Sequence, residues 1–415
     1  MNRLLYENVT VLDCTGAEPY RGQVLIAGNR IAAVGAGDRS LPRDGVQVVD
    51  GGGATLMPGL VESHAHLSLN NMEDIATLGM IPPEEHTLLT MHNARLYLDH
   101  GITSCISAGS AKPRLDVVIR NAINAGQIPG PRLLAASPWL SVTAGLGDRR
   151  TLHQPQVETM ALFADGPEAY RRLARELVRE GVDILKLVVS GESHIPHAGP
   201  HTTPMSEAEV AAAAEVARAH GRRVSAHAKS AESIKRCLRQ GIDLIYHAYF
   251  ADEEALDLLQ AHKDRVFVSP VIAFSVVGAY EVADRYSEAQ IIASGVREDM
   301  ASATKVIPEL KRRGIRILGG GDYGFALIPH GGNARDIEHF VRYFGFTPME
   351  AILSMTRYGG EAMGEKLGQV RAGYLADLLL VDGDPLASPG ILSDAGKLLG
   401  IMKDGRFHKA PPSLR

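Results

Sequence analysis

From residue 58 to residue 318 the chain alternates short apolar β segments with helical stretches, and this alternation restricts the fold more than any other feature. Strands joined by helical crossovers pair in parallel. Eight candidate strands are legible: Leu60–His66, Ile102–Ile106, Arg132–Ala136, Asp183–Val189, Arg223–His227, Asp243–His247, Val266–Pro270 and Ile315–Leu318. The clearest helices between them are Pro167–Arg179 and Ser206–His220. In the second, Ser206 followed by Glu209 forms a capping-box pattern, and the alanine-rich run at 210–218 favours helix intrinsically. Eight parallel strands close a (β/α)8 TIM barrel. An open doubly wound sheet would carry a glycine-rich dinucleotide loop after an early strand, and none occurs in that context.

The flanks read differently. Leu4–Leu12, Gly22–Ile26, Arg30–Val34 and Val46–Val49 are short β segments separated by turns at Thr15-Gly16, Gly28-Asn29 and Gly51-Gly52-Gly53. Such strands need partners, and Gly373–Asp382 with Leu398–Phe407 at the far end supply them. The expected architecture is therefore α/β: a TIM-barrel domain over residues 58–361, inserted into a small β-sandwich formed by both chain termini, residues 1–57 and 362–415. A chain of 415 residues, 45% of them hydrophobic, can fill both cores. The net charge of -5 and the dispersed basic residues point away from nucleic acid and membrane and toward a small-molecule substrate. Cys14, Cys105 and Cys237 are far apart and form no disulfide framework, and Met1–Asn8 has no apolar run, so a cytoplasmic location is expected.

In a barrel of this kind, chemistry sits at the C-terminal ends of the strands. The first strand, Met57-Pro58-Gly59-Leu60-Val61-Glu62-Ser63-His64-Ala65-His66, ends in two histidines that alternation places on one side, and Pro58-Gly59 breaks the chain just upstream. His227 and His247 end the fifth and sixth strands. Asp322 follows Gly319-Gly320-Gly321 after the eighth, and Lys186 interrupts the apolar strand Ile184–Val189. Taken singly, most of these have plain structural explanations: core histidines, or a turn-forming aspartate. Lys186 does not, because a lysine inside a barrel is costly unless paired. Together they bring four imidazoles, a carboxylate and an amine to one mouth, a donor set suited to a borderline cation such as zinc.

With these positions assembled, the chain resembles the amidohydrolase superfamily, in the imidazolonepropionase-like branch that includes metal-dependent Xaa-Pro dipeptidases and related carboxypeptidases. The resemblance rests on Met57-Pro58-Gly59 before His64-Ala65-His66, the Lys186 strand running into Ser190-Gly191, then His227, His247 and Asp322, and the closing Gly373-Tyr374-Leu375-Ala376-Asp377-Leu378. It implies two divalent metal ions, zinc foremost, with manganese, cobalt or iron as alternatives. One ion would be held by His64, His66 and Asp322, the other by His227 and His247, with Lys186 bridging as a carbamate formed with carbon dioxide. An ammonium with a pKa of ~10.4 repels cations, whereas the neutral amine favoured by burial beside cations can become an anion by capturing carbon dioxide. Water at such a centre is acidified toward about 7. Asp322 would orient it, take its proton and pass that proton to the leaving group. The resemblance also implies a homo-oligomer.

Two loop positions depart from the branch. Its peptidase-like members carry Gly-Gly-His after strand 3, where this chain has Ala144-Gly145-Leu146, and Leu146 cannot donate to a scissile carbonyl. They also carry tyrosine two residues beyond the strand-5 histidine. Here the residue is Lys229, which offers a cation for a substrate carboxylate or a donor for an oxyanion, against the plain alternative of a solvated lysine. His330 matches a position that the branch usually keeps, and Leu146, Tyr249 and His194 complete the expected substrate-binding set. The strand-4 loop Gly191–His201, with His194, His197 and His201, is a candidate lid. Trp139 and Arg149-Arg150 are weaker candidates for pocket walls, and Ala273–Gly295 is either a lid or a subunit contact. The expected function is a binuclear metal-dependent amidohydrolase that cleaves an amide-like carbon–nitrogen bond (N-acyl, carbamate or cyclic amide) of a small organic substrate. The alternatives are a dipeptidase or carboxypeptidase, a lactonase, or a deaminase on the same scaffold. Single-metal deaminases lack the bridging lysine, and a non-catalytic scaffold would have lost ligands that are all present here.

Overall fold

The computed structural model of the protein describes residues 3–37, 39–75, 77–157 and 159–414, so residues 1, 2, 38 and 415 of the expected terminal unit and residues 76 and 158 of the expected barrel domain lie outside the described residues. The N-terminal strands are β1 (Arg3–Val11), β2 (Tyr20–Ala27), β3 (Arg30–Ala36), β4 (Gln47–Asp50) and β5 (Thr55–Pro58). The parallel strands follow: β6 (Leu60–Ala65), β7 (Ile102–Ser107), β8 (Arg132–Leu134), β9 (Ala136–Ser141), β10 (Ala161–Phe163), β11 (Ile184–Val188), β12 (Arg223–Ser230), β13 (Leu244–Phe250), β14 (Phe267–Ser269) and β15 (Arg316–Ile317). The chain ends in β16 (Leu378–Val381), β17 (Leu398–Lys403) and β18 (Arg406–Lys409).

Both termini contribute to one eight-stranded sheet in the order β18-β17-β16-β5-β1-β2-β3, with β4 on β1. The join is the antiparallel pairing of β5 with β16, from Thr55 opposite Val381 to Pro58 opposite Leu378. Along β1 the buried positions change parity. Leu4 and Tyr6, then Val9 and Val11, all enter one apolar cluster with Val24, Leu56 and Leu380. A bulge explains this: the register with β2 shifts between Tyr6 and Val9, and Asn8 takes a φ of 52°. One extra residue swaps the faces, so both halves of the strand still point their apolar residues inward.

All eight expected parallel strands are present, distributed over two sheets, β6-β7-β8 and β10-β9-β11-β12-β13-β14-β15. The expected third strand is split, because Ala135 leaves the ladder and its carbonyl accepts from both Asp183 N (2.8 Å) and Ile184 N (3.2 Å). Beyond the β6 edge, Ser63 N donates to Gly319 O at 3.1 Å and Val61 N to Met355 O at 2.7 Å, which bring the segment after β15 against β6. Every residue of β6, β7 and β11 is buried, as expected for parallel strands covered on both faces. The expected capping box is in place on the helix Glu207–Ala219: Ser206 Oγ accepts from Glu209 N, and Glu209 accepts from Ser206 N at 2.7 Å. The helix Pro167–Glu180 ends at Gly181 in the left-handed conformation that this terminus requires. Among the described residues, no helix is long and apolar enough to cross a membrane.

Candidate metal centre

Two adjoining groups of side chains meet along the C-terminal halves of β6, β11, β12 and β13; β12 and β13 run on to Ser230 and Phe250, beyond His227 and His247, at which the expected strands ended. In the first, His64 and His66 aim their Nε2 atoms at Asp322 Oδ1, at 3.6 and 3.1 Å. His66 Nδ1 lies 2.9 Å from Gly109 O. A carbonyl only accepts, so Nδ1 carries the proton and Nε2 presents a lone pair. That lone pair faces a carboxylate oxygen, and both atoms are buried without a hydrogen-bond partner among the described residues. Two acceptors this close repel unless something positive lies between them. The ligand atoms of His64, His66 and Asp322 all fall within 4.8 Å of one another, a spacing that suits a divalent ion. The glycines before Asp322 are required by packing, since a Cβ on Gly320 would sit 2.6 Å from His64 N. Asp322 itself adopts a φ of 67°.

The second group is His227, His247 and Lys186. The His227 and His247 ring centroids are 4.3 Å apart, and His64 is 5.7 Å from His247, so the two groups share a border. His247 and Ala248 hold φ values of 72° and 57°, the kind of backbone strain that concentrates at functional sites. Lys186 is 1% exposed. Its Nζ lies 3.8 Å from the centre of the Tyr246 ring, and no carboxylate is within ion-pair distance among the described residues. Burial pushes its ammonium well below the usual lysine range. Burial, and then the charges of Lys186 and the neighbouring imidazoles, likewise depress His64; burial foremost brings His227 down to about 4, and His247 falls well below its ordinary value. The neutral imidazole is the form that ligates a metal, and the neutral amine is the form that reacts with carbon dioxide. The donor set therefore fits two divalent ions and a carboxylated lysine.

Several residues around these groups were not singled out from the sequence. Glu62 is fully buried; its Oε1 accepts from His64 N at 3.1 Å and its Oε2 from Asn333 Nδ2 at 2.9 Å. Burial, and then the nearby Asp336, push this carboxyl up to about 8. A glutamate inside an apolar strand, in phase with His64 and His66, was the available signal. Asp336 accepts from Gly320 N at 2.9 Å and from Tyr323 OH at 3.1 Å, and so pins the glycine turn that carries Asp322. Tyr246, 4.2 Å from His64 by ring centroids, donates to Ser63 O.

The expected substrate-binding residues are placed unevenly. Lys229 is 2% exposed, and its ammonium is shared between Glu192 and Asp299 Oδ2, the latter at 2.8 Å. Tyr249 donates to Val271 O at 2.9 Å and lies beside His247. His330 is buried, with Nε2 donating to Leu69 O at 2.8 Å. Leu146 is buried, and its carbonyl accepts from Ser141 Oγ. His194 is exposed in the strand-4 loop, as is His197, while His201 pairs with Glu298 at 2.8 Å. Trp139, the weaker candidate, is the closest of the expected wall residues: its ring centroid is 6.1 Å from that of His66, and Nε1 donates to Ala108 O. It belongs to an apolar cluster with Leu69, Leu78, Met72, Met160 and Phe325. Arg149 pairs with Asp74 at 2.8 Å, and Arg150 with Asp148. Beside them a cavity of about 670 Å³ opens between Asp74, Thr77 and Met80 on one side and Gln154–Val157 on the other.

Residues 55–407 match the amidohydrolase family. Among curated proteins, the chain is 25% identical to ochratoxinase of Aspergillus niger over 422 aligned positions, covering 95% of this chain and 84% of that one. Among solved structures, it superposes on a prolidase complexed with N-methylphosphonate-L-proline with a TM-score of 0.87 at 25% identity, covering 98% of this chain and 100% of the other. An amidohydrolase gives a TM-score of 0.87 at 27% identity, covering 99% and 100%.

Proposed function

The chain belongs to the amidohydrolase family and is a hydrolase acting on carbon–nitrogen bonds, and from that premise we propose that it is a binuclear metal-dependent enzyme that cleaves an amide, carbamate or cyclic amide bond in a small, partly apolar molecule. The observation that carries the reading is the pair of facing acceptors, His66 Nε2 and Asp322 Oδ1, buried without a hydrogen-bond partner among the described residues, next to a lysine and two histidines whose charged forms burial disfavours. His64, His66 and Asp322 would hold one ion, His227 and His247 the other, with Lys186 between them. Divalent ions supply the charge that acidifies water and polarises a carbonyl.

The rest is the work of the chain. Gly109 O fixes the tautomer of His66, and Gly191 O, 3.1 Å from His227 Nε2, fixes that of His227. Lys186, whose ammonium burial disfavours, would in its neutral form take up carbon dioxide and release one proton to solvent, supplying a carbamate anion where a cation would repel the ions. Asp322, partly exposed, takes a proton from water and returns it to the leaving nitrogen. Trp139 with Met72 and Phe325 excludes water on the His66 side and favours an apolar substituent there. Lys229, neutralised by two carboxylates, is poorly placed to hold a free peptide carboxylate, which weighs against a peptidase.

This reading includes closure of the parallel strands into a barrel over residues 58–361 and a β-sandwich from residues 1–57 and 362–415. The hydrogen bonds from Ser63 to Gly319 support the closure. The proposed setting is a cytoplasmic homo-oligomer. The test is metal analysis of the purified protein, joined to a turnover screen against amide, carbamate, lactone, phosphotriester and dipeptide panels. Two divalent ions per chain and turnover of amides or carbamates are expected. A protein without bound divalent ions, or undiminished turnover in Lys186→Ala, would overturn the proposal, and a preference for X-proline dipeptides would move it to the peptidase reading.

A further inference from the structure

Lys229 lies two residues beyond His227 on β12, so alternation sends both side chains to the same side of the strand. A lysine buried this deeply is tolerated only when its charge is met. The two carboxylates that meet it come from different elements: Glu192 from the loop after β11, and Asp299 from the helix Val296–Arg312. Lys229 thus ties a strand, a loop and a helix together at one buried point.

The loop is held closely there. Ser190 Oγ accepts from Lys229 N at 2.8 Å, Glu192 N donates to Ala198 O at 2.8 Å, and Ser193 Oγ reaches Asp299 Oδ1 at 3.4 Å. Gly191 cannot be replaced in this turn, since a Cβ would stand 2.0 Å from Ala198 O. Gly295, at the start of the helix, leaves room for Ser193, whose Cβ would be 2.2 Å from an added one. Between Ser190 and Glu192 stands the group that meets the His227 ring: Gly191 O, which accepts from His227 Nε2 and so leaves Nδ1 as the candidate ligand atom.

We propose that Lys229 is a positioning residue: clamped by Glu192 and Asp299, it holds the Gly191 carbonyl that sets the tautomer and orientation of His227, and with them the second cation site. The inference rests on the proposed ligand role of His227. It assigns to a buried ion-pair node the task that a metal-ligating histidine ordinarily receives from one acceptor.

The test compares the parent with Lys229→Met/Glu192→Gln, which removes one positive and one negative charge and so leaves the net buried charge unchanged. Zn2+ is titrated into the metal-stripped full-length protein by calorimetry. The parent is expected to take up two equivalents, while the double variant binds the first as the parent does and the second about 10- to 100-fold more weakly. Lys235→Met is the control, since Lys235 bridges Asp252 and Glu254 away from the centre and its loss should leave both equivalents unchanged. Asp299→Asn, which keeps the Lys229–Glu192 contact, serves if the double variant does not fold, and a smaller loss confined to the second equivalent is expected of it. The second readout needs no metal: long-range 1H–15N imidazole spectra of the stripped protein, with His227 assigned through His227→Asn. The Nε2–H tautomer is expected in the parent, and a tautomeric mixture in the variant. A folded variant that binds the second equivalent like the parent, or keeps the parent tautomer, overturns the proposal. A parent that takes up fewer than two equivalents overturns the binuclear reading, and the positioning role of Lys229 is then decided by the tautomer alone: a mixture in the variant supports it and the parent tautomer in the variant overturns it.

Discussion

Asp148 shows how a single side chain sets the shape of a loop. Its carboxylate accepts from Arg150 Nε (2.8 Å) and Nη2 (2.9 Å) and from Ala144 N (2.9 Å), closing the loop after β9 that holds Leu146. The Arg150 hydrogen bonds, foremost, bring its pKa down to about 2. A carboxyl depressed in the folded state contributes stability above its unfolded pKa, and that contribution is lost as pH falls through the folded value. Asp148→Asn should therefore cost about 1–2 kcal/mol at neutral pH, and the gap to the parent should narrow between about pH 4 and pH 2, as read from denaturant melts across that range. Trp139 provides a second test, because it is the single tryptophan of the chain. Since it stands beside His66, its emission should shift when a slowly cleaved apolar amide is added and stay constant with a hydrophilic one of equal size; Trp139→Phe should lose the signal and Trp139→Ala should raise KM for apolar substrates about tenfold, an effect of ~1.4 kcal/mol.

At the scale of the element, the turn after β15 carries the most. Gly319, Gly320 and Gly321 let Asp322 approach β6, and Asp336 grips the turn through Gly320 N. In Gly320→Ala the new methyl would meet His64 N, so either the turn or β6 must move. The expected result is loss of metal at the His64–His66 pair with the far-UV circular dichroism unchanged, and metal retention at the parental level would show that the turn can yield. The capped helix Glu207–Ala219 is more ordinary: Ser206→Ala should cost about 1 kcal/mol without touching turnover. Element boundaries were legible where local chemistry sets them, as with the Ser206 cap. The split of the third strand at Ala135 and the short β10 were not, because both depend on what lies alongside: the donors of Asp183 and Ile184 in one case, and the β9 edge in the other.

On the scale of the whole molecule, the candidate ligands come from residues up to 258 positions apart, from His64 to Asp322. Ions bound there would cross-link the two parallel sheets with the segment after β15, and a ligand that binds only the folded state stabilises it by about 4 kcal/mol at a thousandfold excess over its Kd. Chelation should therefore lower the melting temperature, readdition of Zn2+ should restore it, and the shift should vanish in His64→Ala. An unchanged melting temperature after the metal is verifiably removed would exclude such a cross-link.

The alternation of strands and helices, the parity that puts His64 and His66 on one side, and the misfit of a lysine in an apolar strand were all decided locally, by residue type and the period of the backbone, and could be read from the sequence. Tertiary structure alone decided which charges Lys229 meets, which acceptors orient His66 and His227, and that Glu62 lies buried against Asn333 beneath the centre. Those partners are backbone carbonyls, or side chains tens to hundreds of residues away. A carbonyl is present at every position and a carboxylate at many, so their roles arise only when folding has chosen which of them come within hydrogen-bonding distance and removed the water that would otherwise have satisfied them.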